Sequence, residues 1–202
     1  MRFPLDRARA VIARGALRTI LGAHLGHYPA NLAFRYSKKR KPSLVLPDEA
    51  TLPFSVSHSG DWVLIGVGGG GRVGVDIERL RPVRNLGRIV ERYFAPREIA
   101  SLRETPDDVR LGAFYSCWTA KEAYVKAIGG GISHGFHTFT VAVGGDEPPA
   151  ILEIDGSEDA ARDWTVWADE PAPGYLAAAA IDVPNARIIP RVWTGSDGTR
   201  AW

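Results

Sequence analysis

Two stretches of the chain set acidic and basic side chains at spacings that could do chemistry. In Val73-Gly74-Val75-Asp76-Ile77-Glu78 apolar and polar residues alternate, the period-two signature of a strand with one face buried. Val73, Val75 and Ile77 then point into a core, and Gly74, Asp76 and Glu78 share the other face. Side chains two residues apart on a strand stand roughly 7 Å from each other. Two carboxylates at that distance can converge on one hard cation, with Gly74 leaving room beside them. Oxygen ligands without cysteine or an obvious histidine cluster suit Mg²⁺ or Mn²⁺ better than Zn²⁺. A solvated polar strand face has the same pattern, and these six residues alone do not separate the two.

The second stretch is Phe114-Tyr115-Ser116-Cys117-Trp118-Thr119-Ala120-Lys121-Glu122-Ala123-Tyr124-Val125-Lys126. Trp118, Glu122 and Lys126 follow i, i+4, i+8 and line one side of a helix. A surface Glu–Lys pair has this spacing too, but a tryptophan in the same stripe argues for burial, and buried charges need partners. A third carboxylate at Glu122 could complete a divalent-cation site with Asp76 and Glu78. Lys126 beside it could neutralise phosphate charge. His58, in a serine-rich turn, and the basic run Lys38, Lys39, Arg40, Lys41 could hold further phosphates. Together these residues form a toolkit for phosphoryl transfer on a highly charged substrate.

The elements that must position these groups are legible in outline. Residues 6–25 read as a helix with apolar positions near helical spacing, ended with the help of Gly22 and Gly26. Residues 35–42 read as a basic loop. Strands are expected at 54–59, 62–67 and 73–78, with a glycine turn at 68–71. Helices follow at 86–93 and 96–103, then the strongest one at 111–128, closed by Gly129-Gly130-Gly131. Further strands are expected at 138–143, 150–154, 164–168 and 175–181, with an irregular tail from 184 to 202.

Length and composition bound the rest. The chain has 202 residues, 45% of them hydrophobic and 24% charged, which suits one soluble globular domain. A single cysteine, Cys117, excludes an internal disulfide framework and fits a reducing cytoplasm. No stretch is apolar enough for a spanning helix, and no apolar leader opens the chain. The net charge of +2 hides an asymmetry: residues 1–42 hold ten Lys or Arg and one acid, Asp6, whereas the remainder holds 15 basic and 22 acidic residues. A polyanionic partner or a solvated basic face would each account for the N-terminal excess. Gly66–Gly71 formally matches G-x-G-x-x-G, but a strand follows where a dinucleotide fingerprint needs a helix. Ser57-His58-Ser59 lacks a nucleophile elbow, and Cys117 sits mid-helix as a packing residue. No nucleic-acid motif is present.

These motifs, in this order, resemble the Sfp-type 4'-phosphopantetheinyl transferases. The resemblance is carried by F-S-V-S-H-S (54–59), V-G-V-D-I-E (73–78) and W-T-A-K-E-A-Y-V-K (118–126), with support from R-Y-F-A-P-R-E (92–98) and G-G-G-I-S-H-G-F-H-T-F-T-V (129–141). It spans roughly residues 6–183. It implies an α+β fold of two similar α/β halves related by a pseudo-twofold axis, about 1–73 and 74–183. It also implies an enzyme that moves the phosphopantetheine arm of coenzyme A onto a serine of an apo carrier protein, releasing adenosine 3',5'-bisphosphate.

On that resemblance Asp76, Glu78 and Glu122 hold Mg²⁺, and Asp76, Glu122 and Lys126 are catalytic, with Glu122 as base on the carrier serine. Coenzyme A would lie against Arg9, Arg14, Lys39, Arg40, Lys41, Ser57, His58, Lys121 and Lys126. Glu98 would position a site water or Lys126. The carrier could serve fatty acid, polyketide or nonribosomal peptide synthesis, and the two-halves architecture suggests a monomer; a cytoplasmic protein without nucleic-acid or membrane partners is expected from the motifs and composition above. Against the family pattern, a strand and a helix ahead of the Arg-rich helix are missing, so the N-terminal half reads as shortened. A start assigned late and a shortened member both fit. A degenerate coenzyme A or carrier-protein binding module is the competing expectation.

Overall fold

The computed structural model describes residues 4–37, 41–46, 52–130, 135–142, 148–193 and 199–200. Lys38, Lys39, Arg40 and residues 131–134 lie outside that set. The chain divides into two compact units, residues 53–186 and residues 1–52 with 187–202.

The larger unit carries a three-stranded antiparallel sheet in the order β5-β9-β8, formed by Val73–Arg79, Tyr175–Ile181 and Thr165–Ala172. The alternation read for 73–78 is borne out, because Val75 and Ile77 are buried on one face and Asp76 emerges on the other. Strands β3 (Phe54–Ser59) and β4 (Trp62–Val67) form an antiparallel hairpin through the turn at Gly60-Asp61. Helices α2 (Leu86–Tyr93) and α3 (Pro96–Glu104) lead into the long helix α4, Asp107–Ile128. This helix starts one turn earlier than the apolar periodicity predicts. Pro106 closes the preceding segment, and Asp107 and Asp108 sit in the first turn, where the helix dipole favours acids. At the other end Gly129 takes φ 74°, and the Gly130 N–H bonds the Val125 carbonyl at 3.0 Å. That left-handed closure is the role expected of glycine here. Strands β6 (Phe139–Val141) and β7 (Ile151–Ile154) pair antiparallel, and the short helix α5 (Glu158–Ala161) precedes β8.

The position of α4 depends on small residues. Across β5 and β9, Gly74 pairs with Ala180 and Asp76 with Ala178, and both alanines are fully buried in the core with Ala120 and Ala123 of α4. A Cβ on Gly74 would overlap the Ala123 carbonyl oxygen and the Ala127 amide nitrogen. The space that Gly74 leaves is therefore filled by helix backbone, and not kept open beside the carboxylates as the strand pattern alone suggests. The far side of α4 packs on an aromatic cluster, with Phe94 stacked on Phe114 at 5.6 Å and Trp118 meeting Phe136 at 5.4 Å between centroids.

In the smaller unit, α1 (Pro4–Leu25) and the hairpin β1 (Ala33–Tyr36) and β2 (Pro42–Val45) account for most of the chain. Part of the expected basic loop is thus strand: Arg35 and Tyr36 belong to β1, and Pro42 opens β2. The Arg18 guanidinium donates to the Pro29 and Leu32 carbonyls at 2.7 and 2.9 Å and lies over the Phe34 ring. Strands β10 (Val192–Trp193) and β11 (Thr199–Arg200) pair within the tail. Among the described residues no helix is long and apolar enough to cross a membrane.

Gly74→Ala forces α4 away from β5, so it is expected to lower stability by about 3 kcal/mol, read as the shift of the urea-unfolding midpoint at unchanged slope.

Candidate active site

All four residues of the two chemical motifs meet in one cleft of the larger unit. It has a volume of about 330 Å³ and is lined by Ser57, His58, Asp76, Glu78, Trp118, Glu122 and Lys126. Strand β5 supplies Asp76 and Glu78 two residues apart on one face, and α4 supplies Trp118, Glu122 and Lys126 at successive turns. The helix comes close enough for the two sets to interact because Gly74 and the alanines of β9 offer no side-chain bulk between them.

The Lys126 ammonium donates to Asp76 Oδ1 at 2.5 Å and to Ser57 Oγ at 2.9 Å, and Ser57 Oγ donates to the same Asp76 oxygen at 2.8 Å. Asp76 is 3% exposed, and its Oδ2 is buried without a hydrogen-bond partner. Burial pushes the Asp76 carboxyl up, against the opposing pull of Lys126. Glu78 is half-buried and is raised chiefly by burial, then by the Asp76 charge, while the Ser59 hydroxyl bonds its Oε2 at 2.8 Å. Glu122 is pushed up to about 7, first by burial and then by Asp76, with Lys126 pulling the other way and Glu78 adding to the rise. Three carboxylates thus press on one another across a single ammonium.

That arrangement is chemically short of positive charge. A buried carboxylate oxygen without a partner normally costs free energy, and mutually repelling acids are held apart from full ionisation until a cation joins them. The oxygen-only donor set fits a hard divalent ion. Among the described residues no three His, Cys, Asp or Glu side chains already stand close enough together to form a preformed metal cage.

The hairpin β3–β4 is tied to β5 by a comb of serines that sequence reasoning missed. Ser55 Oγ accepts the Val75 N–H at 3.1 Å, Ser57 bonds Asp76, and Ser59 accepts the Arg79 N–H at 3.0 Å while donating to Glu78. The signal was present in Ser55-Val56-Ser57-His58-Ser59, where three hydroxyls recur at the strand period.

Of the remaining expected site residues, His58 lines the cleft and the others fall elsewhere. His58 is exposed on β3 at the mouth of the cleft. Arg9, Arg14 and Lys41 belong to the smaller unit. There Arg9 is near Asp6 at 3.5 Å, Arg14 donates to the Tyr36 hydroxyl at 2.9 Å, and the Lys41 N–H donates to Ser37 Oγ at 3.1 Å. Lys39 and Arg40 lie outside the described residues. Lys121, expected against coenzyme A, is instead fully buried and paired with Glu98 at 2.6 Å, so it offers no surface to a ligand. Glu98 accordingly bonds Lys121 rather than Lys126. Cys117 is buried, and burial pushes its thiol well up, as a packing residue requires.

The raised Glu122 has a stability consequence. An unfolded chain releases this proton near 4.5, whereas the folded protein keeps it up to about 7. Between those values the fold holds a proton that the unfolded chain has lost, so stability falls as pH rises through the window. Glu122→Gln should leave the metal-free protein's stability unchanged below pH 4.5 and raise it by about 2 kcal/mol above neutrality, measured by urea unfolding in EDTA at both ends of the range.

With this geometry in place, comparison with known proteins is informative. A sequence profile described as the 4'-phosphopantetheinyl transferase superfamily matches residues 72–180, the stretch that holds β5, α4 and β9. The chain is 36% identical to the 4'-phosphopantetheinyl transferase HetI of Nostoc sp. over 194 residues, covering 95% of this chain and 77% of that protein. It is 33% identical to a phosphopantetheinyl transferase of Thraustochytrium sp. over 173 residues, covering 78% of this chain and 59% of that one. The Sfp transferase of Bacillus subtilis is 27% identical over 180 residues, 89% of this chain and 76% of its own length. Among solved structures, the holo-[acyl-carrier-protein] synthase of Thermotoga maritima covers 63% of this chain and 79% of its own at a TM-score of 0.43 and 15% identity, a loose likeness. By the profile match and by the extent of its likeness to HetI, the chain belongs to the 4'-phosphopantetheinyl transferase superfamily of transferase enzymes.

Proposed function

We propose that this protein transfers the 4'-phosphopantetheine group of coenzyme A to a serine of an apo carrier protein, with Mg²⁺ held by Asp76, Glu78 and Glu122. The observation that carries the reading is the buried, unpartnered Asp76 Oδ2 beside a Glu122 pushed up to about 7 and a lysine that reaches solvent. A divalent cation bound there would offset pyrophosphate charge and polarise the bond that breaks.

The chain's own residues carry the rest. The carrier serine oxygen forms a bond to the phosphorus nearest the pantetheine arm, and the bond from that phosphorus to the bridging oxygen breaks. Adenosine 3',5'-bisphosphate leaves with the electron pair on its 5'-phosphate oxygen. Glu122 takes the serine proton as general base. The Lys126 ammonium, 31% exposed at its side chain, turns from Asp76 to meet the charge developing on the leaving phosphate. Ser57 and His58 contact coenzyme A from β3. Lys121 takes no part in that contact, because it is buried. The basic N-terminal quarter would also speed encounter with acidic carriers. The two-halves architecture that the resemblance implies supports action as a monomer, and the single cysteine supports a cytoplasmic setting. The binding-module alternative is disfavoured by the same four charged residues, which mere binding does not require together.

Lys126→Ala should slow release of adenosine 3',5'-bisphosphate by about two orders of magnitude at saturating coenzyme A and Mg²⁺. A wild-type rate in that variant would remove Lys126 from the mechanism.

A further inference from the structure

The ion pair between Glu98 and Lys121 is the largest buried charge arrangement that the proposed chemistry leaves unused. Both side chains are 0% exposed. The Lys121 ammonium donates to Glu98 Oε1 at 2.6 Å and to the Phe139 carbonyl at 2.7 Å, and it sits 4.1 Å from the Phe139 ring centroid. Glu98 Oε1 also accepts the Val141 N–H at 2.8 Å, and Oε2 accepts the Ala95 N–H at 2.8 Å. Three elements are joined at one point: the N-terminus of α3, the middle of α4 and strand β6.

We propose that this pair is a positioning device that fixes the rotation and axial setting of α4, and with them the places of Glu122 and Lys126 opposite Asp76. The inference rests on the transferase reading of the cleft. Adjacent helix residues project about 100° apart around the axis. Lys121 is held toward α3 and β6, so Glu122, the next residue, is held toward β5. The contact of α4 with the sheet is made by glycine and alanine. Such small, smooth surfaces favour close approach but resist sliding and rotation weakly. Directional bonds to a buried ammonium supply the missing constraint. Stability alone does not call for charges here, since apolar residues of similar volume commonly serve a core as well or better. Placement does call for them, because displacement of a catalytic group by about 1 Å can cost a hundredfold in rate.

The test separates placement from stability. Glu98→Gln alone leaves a bare ammonium in the core and should lower the melting temperature. Glu98→Gln with Lys121→Met removes both charges; the introduced amide oxygen can still accept the Val141 N–H, but its NH2 faces the Ala95 N–H and the Phe139 carbonyl loses its donor, so the melting temperature should recover in part from that of Glu98→Gln alone. In that double variant we expect kcat for carrier modification to stay at least tenfold down, with KM for coenzyme A within about threefold of wild type. Mn²⁺ affinity, titrated by electron paramagnetic resonance without substrates, should also fall at least threefold. Lys121→Arg, which keeps the charge but lengthens the arm, should show the same loss in kcat and serves if the double variant does not fold. A folded double variant, or a folded Lys121→Arg, with wild-type kcat and wild-type Mn²⁺ affinity would overturn the proposal. Were the wild-type protein to modify no carrier, the transferase reading would fall. The Mn²⁺ comparison would then decide the positioning role by itself.

Discussion

The close seating of α4 on β5 is the constraint on which the rest of the molecule depends. Only a glycine at position 74 admits the backbone of Ala123 and Ala127, and only short side chains on β9 keep the approach open along the helix. A larger residue at either place would lift Glu122 and Lys126 away from Asp76. The aromatic cluster around Phe94, Phe114, Trp118 and Phe136 then presses the helix from its other side. Non-directional apolar packing supplies the force, and the absence of side-chain bulk sets the distance.

Electrostatics turns that seating into a reactive arrangement. Bringing a helix glutamate against two strand carboxylates is unfavourable when the group is buried, which is why Glu122 holds its proton to about 7. Lys126 offsets part of the repulsion, and the serine comb of β3 holds Asp76 and Glu78 by their oxygens. On the proposed function, the same low-dielectric setting that makes the carboxylates costly to ionise would strengthen their hold on a cation and the reach of Lys126 toward a developing charge. Local destabilisation and chemical competence have one source here.

Much of this is legible in the sequence because it is periodic. The alternation at 73–78 gives the shared face of Asp76 and Glu78, and the four-residue spacing of Trp118, Glu122 and Lys126 gives their shared stripe. What is not legible is non-local. Nothing near Lys121 signals that its partner stands 23 residues earlier at Glu98, and the family resemblance alone makes it read as a ligand contact. Gly74 reads as space for a ligand because the sequence does not say which element will lie over that face. The β1–β2 pairing is hidden because the basic run Lys38-Lys39-Arg40-Lys41 dominates a short window of sequence. Helix α5 is too short, at four residues, for any periodicity to declare it.

The central claim is that the carboxylate cleft performs cation-dependent transfer of phosphopantetheine. Its most direct test is the intact mass of an apo carrier protein after incubation with this chain and coenzyme A, with Mg²⁺ in one sample and EDTA in the other. The account predicts a gain of one phosphopantetheine per carrier in the first sample and none in the second. An unmodified carrier in both samples, across carriers from fatty acid, polyketide and nonribosomal peptide synthesis, would contradict it, as would equal modification in EDTA.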